Sequence, residues 1–204
     1  MDKKNSQTQP VENLLVQRAK AAEESGIASQ FSAVDLDASV IAAAAITHPK
    51  LVIKYAAQHL SAESLAAAAA AMEPRVTLMW AAQHLSAESL AAAAAAEPWY
   101  ALGFAAQHLS AESLAAAAIA EPGVALYFAA QHLSAESLAA AATAEPRYAL
   151  EHAAQHLSAE SLAAAATADP WAALHFAREH LTPELFKQVQ AALAPPKKPK
   201  APGM

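Results

Sequence analysis

The sequence predicts an all-α fold: a right-handed-type α-solenoid of about six 24-residue two-helix repeats (α/α or α/3₁₀) with terminal capping helices. Three observations predict it. The phrase Ala-Ala-Gln-His-Leu-Ser-Ala-Glu-Ser-Leu recurs at a fixed period, which is typical of stacked repeat arrays. Prolines recur at the same period. Alanine, the best helix former, fills most of the residues between them.

The repeat phrase sets the predicted organisation of the chain. Complete copies begin at Ala56, Ala81, Ala105, Ala129 and Ala153. A changed copy begins at Ala177, and the first step is 25 residues where the others are 24, with the extra residue at or near Met72. We expect a disordered N-terminus (1–9), an N-terminal capping helix (10–35), the repeat array (36–181), a C-terminal capping helix (182–194) and a basic, Pro-rich disordered tail (195–204).

The changed copy indicates where the first helix of each repeat, helix A, begins. In Thr182-Pro183-Glu184, Thr is a favoured N-cap, Pro a favoured first helical residue and Glu a favoured first-turn residue. The corresponding N-caps in the complete copies are Ser61, Ser86, Ser110, Ser134 and Ser158.

A second helix, helix B, is predicted to begin at the next proline of each repeat, because the residue before proline is pushed out of the α region. These prolines are Pro49, Pro74, Pro98, Pro122, Pro146 and Pro170. Helices of about ten residues are marginal alone in water, so packing between repeats must hold them. Alanine lets neighbouring helices approach closely.

Composition and charge exclude several classes of function. The chain has no cysteine, which excludes disulfides, cysteine nucleophiles and thiolate metal sites. The N-terminus has no signal-peptide pattern and the alanine runs are shorter than a membrane span, so we expect a cytoplasmic protein with no membrane partner. Net charge is −6, and residues 56–181 carry three arginines against twelve carboxylates, about −9. This balance argues against duplex nucleic acid as a partner.

The repeat starting at Glu145-Pro146 resembles the leucine-rich repeat variant, a bacterial 24-residue repeat. That family runs from an acid–Pro pair through a helix to Ala-x-Asn/His, then through a Thr-Pro-Pro-Glu-Leu-Leu-like turn to a second helix. The period, the acid–Pro start and the terminal His180-Leu-Thr-Pro-Glu-Leu185 match over roughly residues 36–186. The resemblance implies alternating α and 3₁₀ helices. Here the turn is usually Ser-Ala-Glu-Ser, and the Ala-rich segment predicts an α-helix instead.

Comparison of the copies separates scaffold positions from variable ones. Counted from each helix-B proline, the fourth column is always Ile or Leu and predicts core, and the mostly aromatic sixth column predicts core as well. The first and fifth columns vary and lie four residues apart, hence on one helix face. They hold residue types that are enriched at interfaces. The predicted partner-binding residues are Arg75, Met79, Trp99, Tyr127, Arg147 and Trp171. Neutral drift of solvated positions is the alternative.

One histidine recurs in every repeat, at His59, His84, His108, His132, His156 and His180. A histidine at a helix C-terminus hydrogen-bonds terminal carbonyls and complements the helix dipole, and this is the role that we predict. The alternative is a metal column, which needs three or four converging ligands. Protonation of all nine histidines would move the net charge from −6 to +3, so behaviour near pH 6 should change.

The sequence gives no sign of an enzyme or a cofactor. The repeated Glu columns lie in first turns or before proline, where the helix dipole favours them, and they do not form catalytic pairs. The chain has only four glycines and no Gly-rich phosphate loop. We therefore predict a non-catalytic scaffold, adaptor or inhibitor that binds another protein. The alternatives are an acidic decoy for a nucleic-acid-binding site on another protein and a metal- or pH-responsive histidine column.

Overall fold

The structure is a computed structural model that describes Gln17 and residues 38–194. The segments 1–9 and 195–204, for which we predict disorder, lie outside the described residues. So does the predicted N-terminal capping helix (10–35), apart from Gln17, which is helical.

Residues 38–194 form thirteen helices and no strands, and the predicted alternation of helices A and B runs through them. The A helices are α1 (Ala38–Thr47), α3 (Ala62–Ala70), α5 (Ala87–Ala96), α7 (Ala111–Ala120), α9 (Ala135–Ala144), α11 (Ala159–Ala168) and α13 (Pro183–Leu193). Three B helices are α-helical throughout: α2 (Pro49–Ala56), α4 (Pro74–Ala81) and α12 (Pro170–Phe176). No single described helix has both the length and the apolarity of a membrane span, and one bent pair (Ala111–Ala120 with Pro122–His132) meets those criteria jointly.

The other three B helices change their hydrogen-bond pattern part-way, which the sequence does not predict. Each begins with one α-helical turn and widens into a π-helical turn, the two parts being Pro98–Tyr100 and Ala101–Ala105 in α6, Pro122–Val124 and Ala125–Ala129 in α8, and Pro146–Tyr148 and Ala149–Ala153 in α10. A three-residue 3₁₀ turn ending in the repeated histidine follows every B helix. π-Turns are rare and occur often at functional sites.

Two compact units make up the chain, the first ending at Ala117 and the second beginning at Ala118, inside α7. Within each unit, successive B helices pack against one another and against the A helices beside them. The predicted all-α, solenoid-like repeat array is therefore confirmed.

The predicted N-caps are present. The backbone N–H of Ser137 donates to Ser134 Oγ at 3.1 Å, and the same bond begins every complete-copy helix A. Thr182 accepts the equivalent bond from the Leu185 N–H at 3.2 Å. The helix starts are thus determined locally, by a hydroxyl that satisfies a backbone donor left free at a helix end.

The stabilising effect of the Ser134 N-cap can be tested directly. We expect Ser134→Ala to lower the free energy of unfolding by about 1 kcal/mol, since it leaves one helix-end donor without its side-chain acceptor. Urea unfolding followed by circular dichroism measures the change. Ser134→Asp, which restores an acceptor, should return most of the stability. Equal stability of the wild type and Ser134→Ala would contradict a capping role.

Alanine and leucine build the core in layers. In the B helices, the third, fourth and seventh positions after the starting proline are buried in almost every repeat. In α8 these are Ala125, Leu126 and Ala129, all at 0% exposure. One leucine and one or two alanines from each complete-copy A helix complete each layer. Most buried side chains are methyl groups, so the layers leave little room for larger residues.

Candidate partner-binding face

The outer side of the B helices carries most of the large aromatic side chains among the described residues. The first, second, fifth and sixth positions after each proline lie there, and most of them are exposed or half-buried. We call this surface the aromatic face and treat its two parts separately. In the first unit it comprises Lys54, Tyr55, Arg75, Met79, Trp80, Trp99, Tyr100 and Phe104. In the second unit it comprises Tyr127, Phe128, Arg147, Tyr148, His152, Trp171, His175 and Phe176.

The prediction that the sixth column is core is wrong. Trp80, Phe104 and Phe128 are 44–46% exposed, while Tyr55, His152 and Phe176 are half-buried. The sixth position follows the buried leucine by two residues, about 200° around the helix, and so points away from the A helices. This angular offset from the leucine column is the sequence signal that could have identified these residues as surface.

In the first unit the rings take part in two sets of contacts. Trp99 meets Tyr100 edge to face with 5.0 Å between ring centroids, and Tyr100 lies nearly parallel to Phe104 at 5.9 Å. Lys54 Nζ lies 4.8 Å from the Tyr55 centroid and 5.3 Å from that of Trp80, so one cation links α2 to α4. These contacts hold the rings in place and leave much of their surface open to solvent.

Arg75 has a partner on its own helix. Its guanidinium forms an ion pair with the Glu73 carboxylate, and both side chains are largely exposed. Hydrogen bonding to Glu73, and then the charge of Glu73, raises the pKa of Arg75 above its ordinary value, with a smaller contribution from Tyr100. Arg75 is therefore a fixed cation at the edge of the first unit's rings.

In the second unit the contacts run from helix to helix. Tyr127 of α8 meets His152 of α10 edge to face at 4.6 Å. The Arg147 guanidinium of α10 lies 5.8 Å from the Trp171 ring centroid of α12. Trp171 in turn stacks on His175, with 4.8 Å between centroids and 14° between planes. Three successive B helices thus share one aromatic and cationic surface.

The six residues predicted to bind a partner all lie on the aromatic face and are all exposed. Their apolar members, Met79, Trp99, Tyr127 and Trp171, are 38–55% exposed. Arg147 and Trp171 are brought into direct contact. Partner binding by these residues remains a prediction. Residues that the prediction missed lie between them, notably Trp80, Phe104, Phe128 and Tyr148.

The repeated histidines do not make the predicted bonds to helix-end carbonyls. In the five complete copies, Nε2 of the histidine accepts a hydrogen bond from Nε2 of the preceding glutamine at 3.1–3.2 Å. An amide nitrogen only donates, so this bond requires a neutral imidazole with its proton on Nδ1. In the last copy His180 Nε2 lies 3.5 Å from the Glu179 carboxylate instead.

The described residues contain no metal-binding cluster. Across Gln17 and residues 38–194, no three His, Asp or Glu side chains stand close enough together to hold an ion. The six repeated histidines, which form the alternative metal column, do not converge into a ligand set there.

The two glycines of the B helices lie on the same side as the rings. A Cβ added at Gly103 would meet no atom within 4 Å, so this position is a gap among the first unit's rings. A Cβ at Gly123 would lie 3.7–3.8 Å from the Tyr148 ring, which is ordinary van der Waals contact.

No protein-family model, curated protein or solved structure matches this chain.

Proposed function

We propose that this chain is a non-catalytic scaffold, adaptor or inhibitor that binds another protein through its aromatic face. One observation carries the proposal: large aromatic side chains and arginines occupy the exposed positions of the B helices, while alanine and leucine occupy the buried ones. Tyr, Trp, Phe, Met and Arg are the types enriched at interfaces and among the residues that dominate binding energy. Monomeric proteins rarely expose large contiguous apolar surface without such a use.

The contacts among the rings support the same proposal. Tyr127 is held by His152, and Trp171 by Arg147 and His175, before any partner arrives. Ordering these side chains on binding therefore costs little conformational entropy, which raises affinity. The rigid repeats beneath them allow the variable side chains to differ while the fold stays the same.

We further propose that the repeat belongs with the leucine-rich repeat variant. The 24-residue period, the acid–Pro helix starts and the 3₁₀ turns at each Gln-His support this assignment. The Ala-rich A helices are α rather than 3₁₀, which is a departure from that family's pattern. The bacterial distribution of the family supports a bacterial, cytoplasmic setting as part of the same proposal.

Partner capture tests the aromatic face. We expect the wild-type chain to retain a protein that Trp99→Ala/Tyr127→Ala/Arg147→Ala/Trp171→Ala binds at least 100-fold more weakly, since each central anchor is worth about 2 kcal/mol or more. Mass spectrometry of material captured from the host lysate identifies the partner, and titration of the purified partner gives the affinities.

A matched control changes four exposed glutamines, Gln83, Gln107, Gln131 and Gln155, to alanine. It alters as many exposed side chains outside the aromatic face, so it should retain the partner. Circular dichroism should show equal helix content in all three proteins. Capture of the same partner by the aromatic-face variant would rule out this face as the binding surface.

The acidic decoy remains a second candidate because the first-turn glutamates are exposed in every complete copy. They are Glu63, Glu88, Glu112, Glu136 and Glu160. A row of free carboxylates would attract a basic surface over a distance limited by salt. A partner that survives the aromatic-face substitutions but is released as ionic strength rises would favour the decoy over the aromatic interface.

A further inference from the structure

A cavity of about 270 Å³ opens beside α4, on the side away from the aromatic face. It lies wholly within the first unit, between α3, α4 and α5. Its lining includes Ala66, Ala70, Met72, Thr77, Ser89 and Ala93. No residue of the aromatic face lines it, so it is separate from the proposed interface.

The 25-residue repeat explains why the cavity lies here. Helix α3 has nine residues and closes with a turn at Ala71 and Met72, whereas the next four A helices have ten and run directly to the residue before proline. The backbone of the residue between helix A and helix B differs as a result. Glu73 has φ −64° and ψ 131°, whereas its equivalent in the next repeat, Glu97, has φ −137° and ψ 69°. The extra residue thus separates the end of α3 from the start of α4 beside the cavity.

Thr77 provides a second, independent departure from the repeat. Its position, the third after proline, holds Val52 in α2 and alanine in the four later B helices. Thr77 is 1% exposed, and its hydroxyl, Oγ1, has no hydrogen-bond partner among the described residues. Leaving a buried hydroxyl unsatisfied is destabilising. Thr77, one of the residues that line the cavity, therefore carries a buried hydroxyl without a partner at the repeat junction that the extra residue has altered.

We propose that this cavity binds a small, neutral, mostly apolar molecule whose single polar group hydrogen-bonds to Thr77 Oγ1. The lining consists of Ala, Met, Pro, Ser and Thr and contains no charged residue. An anion has no cation to pair with there, and the array around it is acidic. Since an apolar cavity of about 150 Å³ holds benzene, this volume suits an aromatic ring with a short alkyl chain and one hydroxyl.

The probe is 4-propylphenol, titrated into the full chain by ligand-observed NMR with calorimetry for the dissociation constant. We expect Thr77→Val, which keeps the side-chain shape and removes the hydroxyl, to weaken binding about tenfold, the worth of one buried hydrogen bond. Thr77→Ser keeps the hydroxyl and should bind within about threefold of the wild type, given the small loss of one methyl contact. Ala69→Leu, which fills the cavity, should abolish saturable binding.

Several outcomes would overturn the proposal. One is the absence of saturable binding up to the solubility limit of 4-propylphenol. Another is equal affinity of the wild type and Thr77→Val, because a hydroxyl with only a structural role would change the melting temperature and leave the affinity unchanged. Loss of binding in the aromatic-face variant would place the probe on the exposed rings instead. Binding that persists in the aromatic-face variant and is lost in Ala69→Leu supports the cavity as the binding site.

Discussion

Leu126→Ala is expected to lower the free energy of unfolding by about 2–5 kcal/mol, the range for removing a fully buried leucine side chain. Leu126 has 0% exposure and belongs to the core of the second unit, where it lies with Leu138 and Leu150. Because the residues around it are mostly alanines on fixed helices, few side chains can move to fill the space. Urea unfolding followed by circular dichroism measures the loss.

The control for this prediction is Ile119→Ala. It removes an aliphatic side chain of the same size from a position that is 79% exposed in the same unit. We expect a change within about 0.5 kcal/mol, as for most surface substitutions. Similar losses for the two variants would mean that the leucine column does not carry the core.

Ala149→Leu tests the opposite change, in which the new side chain is too large for a buried site. Ala149 begins the π-helical turn of α10, has 0% exposure and packs in the core of the second unit. We expect a loss of about 1–3 kcal/mol or more, since added methylenes in a packed core force helices or side chains out of place. Differential scanning calorimetry gives the fall in melting temperature.

Ala140→Leu makes the same substitution at an exposed position of α9. Both residues keep high helix propensity, so only the packing differs between the two variants. We expect no loss in this control. A stable Ala149→Leu protein would show that the helices are separated by more than methyl-to-methyl contact, and that alanine serves propensity rather than close approach.

The core side and the aromatic side of each B helix admit side chains of different sizes. Positions such as Ala125 and Ala129 admit little beyond a methyl group, whereas Tyr127 and Phe128 lie between them in sequence and face solvent. A substitution on the outer side therefore changes the surface with little effect on packing. This separation explains how repeats with nearly identical cores carry different side chains outside, as expected of a surface that recognises a partner.

Local rules in the sequence determined the helices and their order. Ser61 and its equivalents begin each helix A because the hydroxyl satisfies a free backbone N–H. Pro98 and its equivalents begin each helix B because proline suits the first helical position and disfavours α geometry in the residue before it. The fixed period then implied stacked copies. These features depend on neighbours a few residues apart, which the sequence displays directly.

The features that the sequence did not predict were decided by the tertiary structure. The outward placement of Trp80, Phe104 and Phe128 follows from which side of each B helix its neighbours cover, and the aromatic stripe taken by itself does not indicate that side. The π-turns arise without any local signal in Ala101–Ala105 or its counterparts. At the cavity, one extra residue and one buried hydroxyl lie side by side, and only the folded chain brings them together. The outward rings and the cavity depend on the packing of helices from successive repeats, which only the tertiary structure brings together.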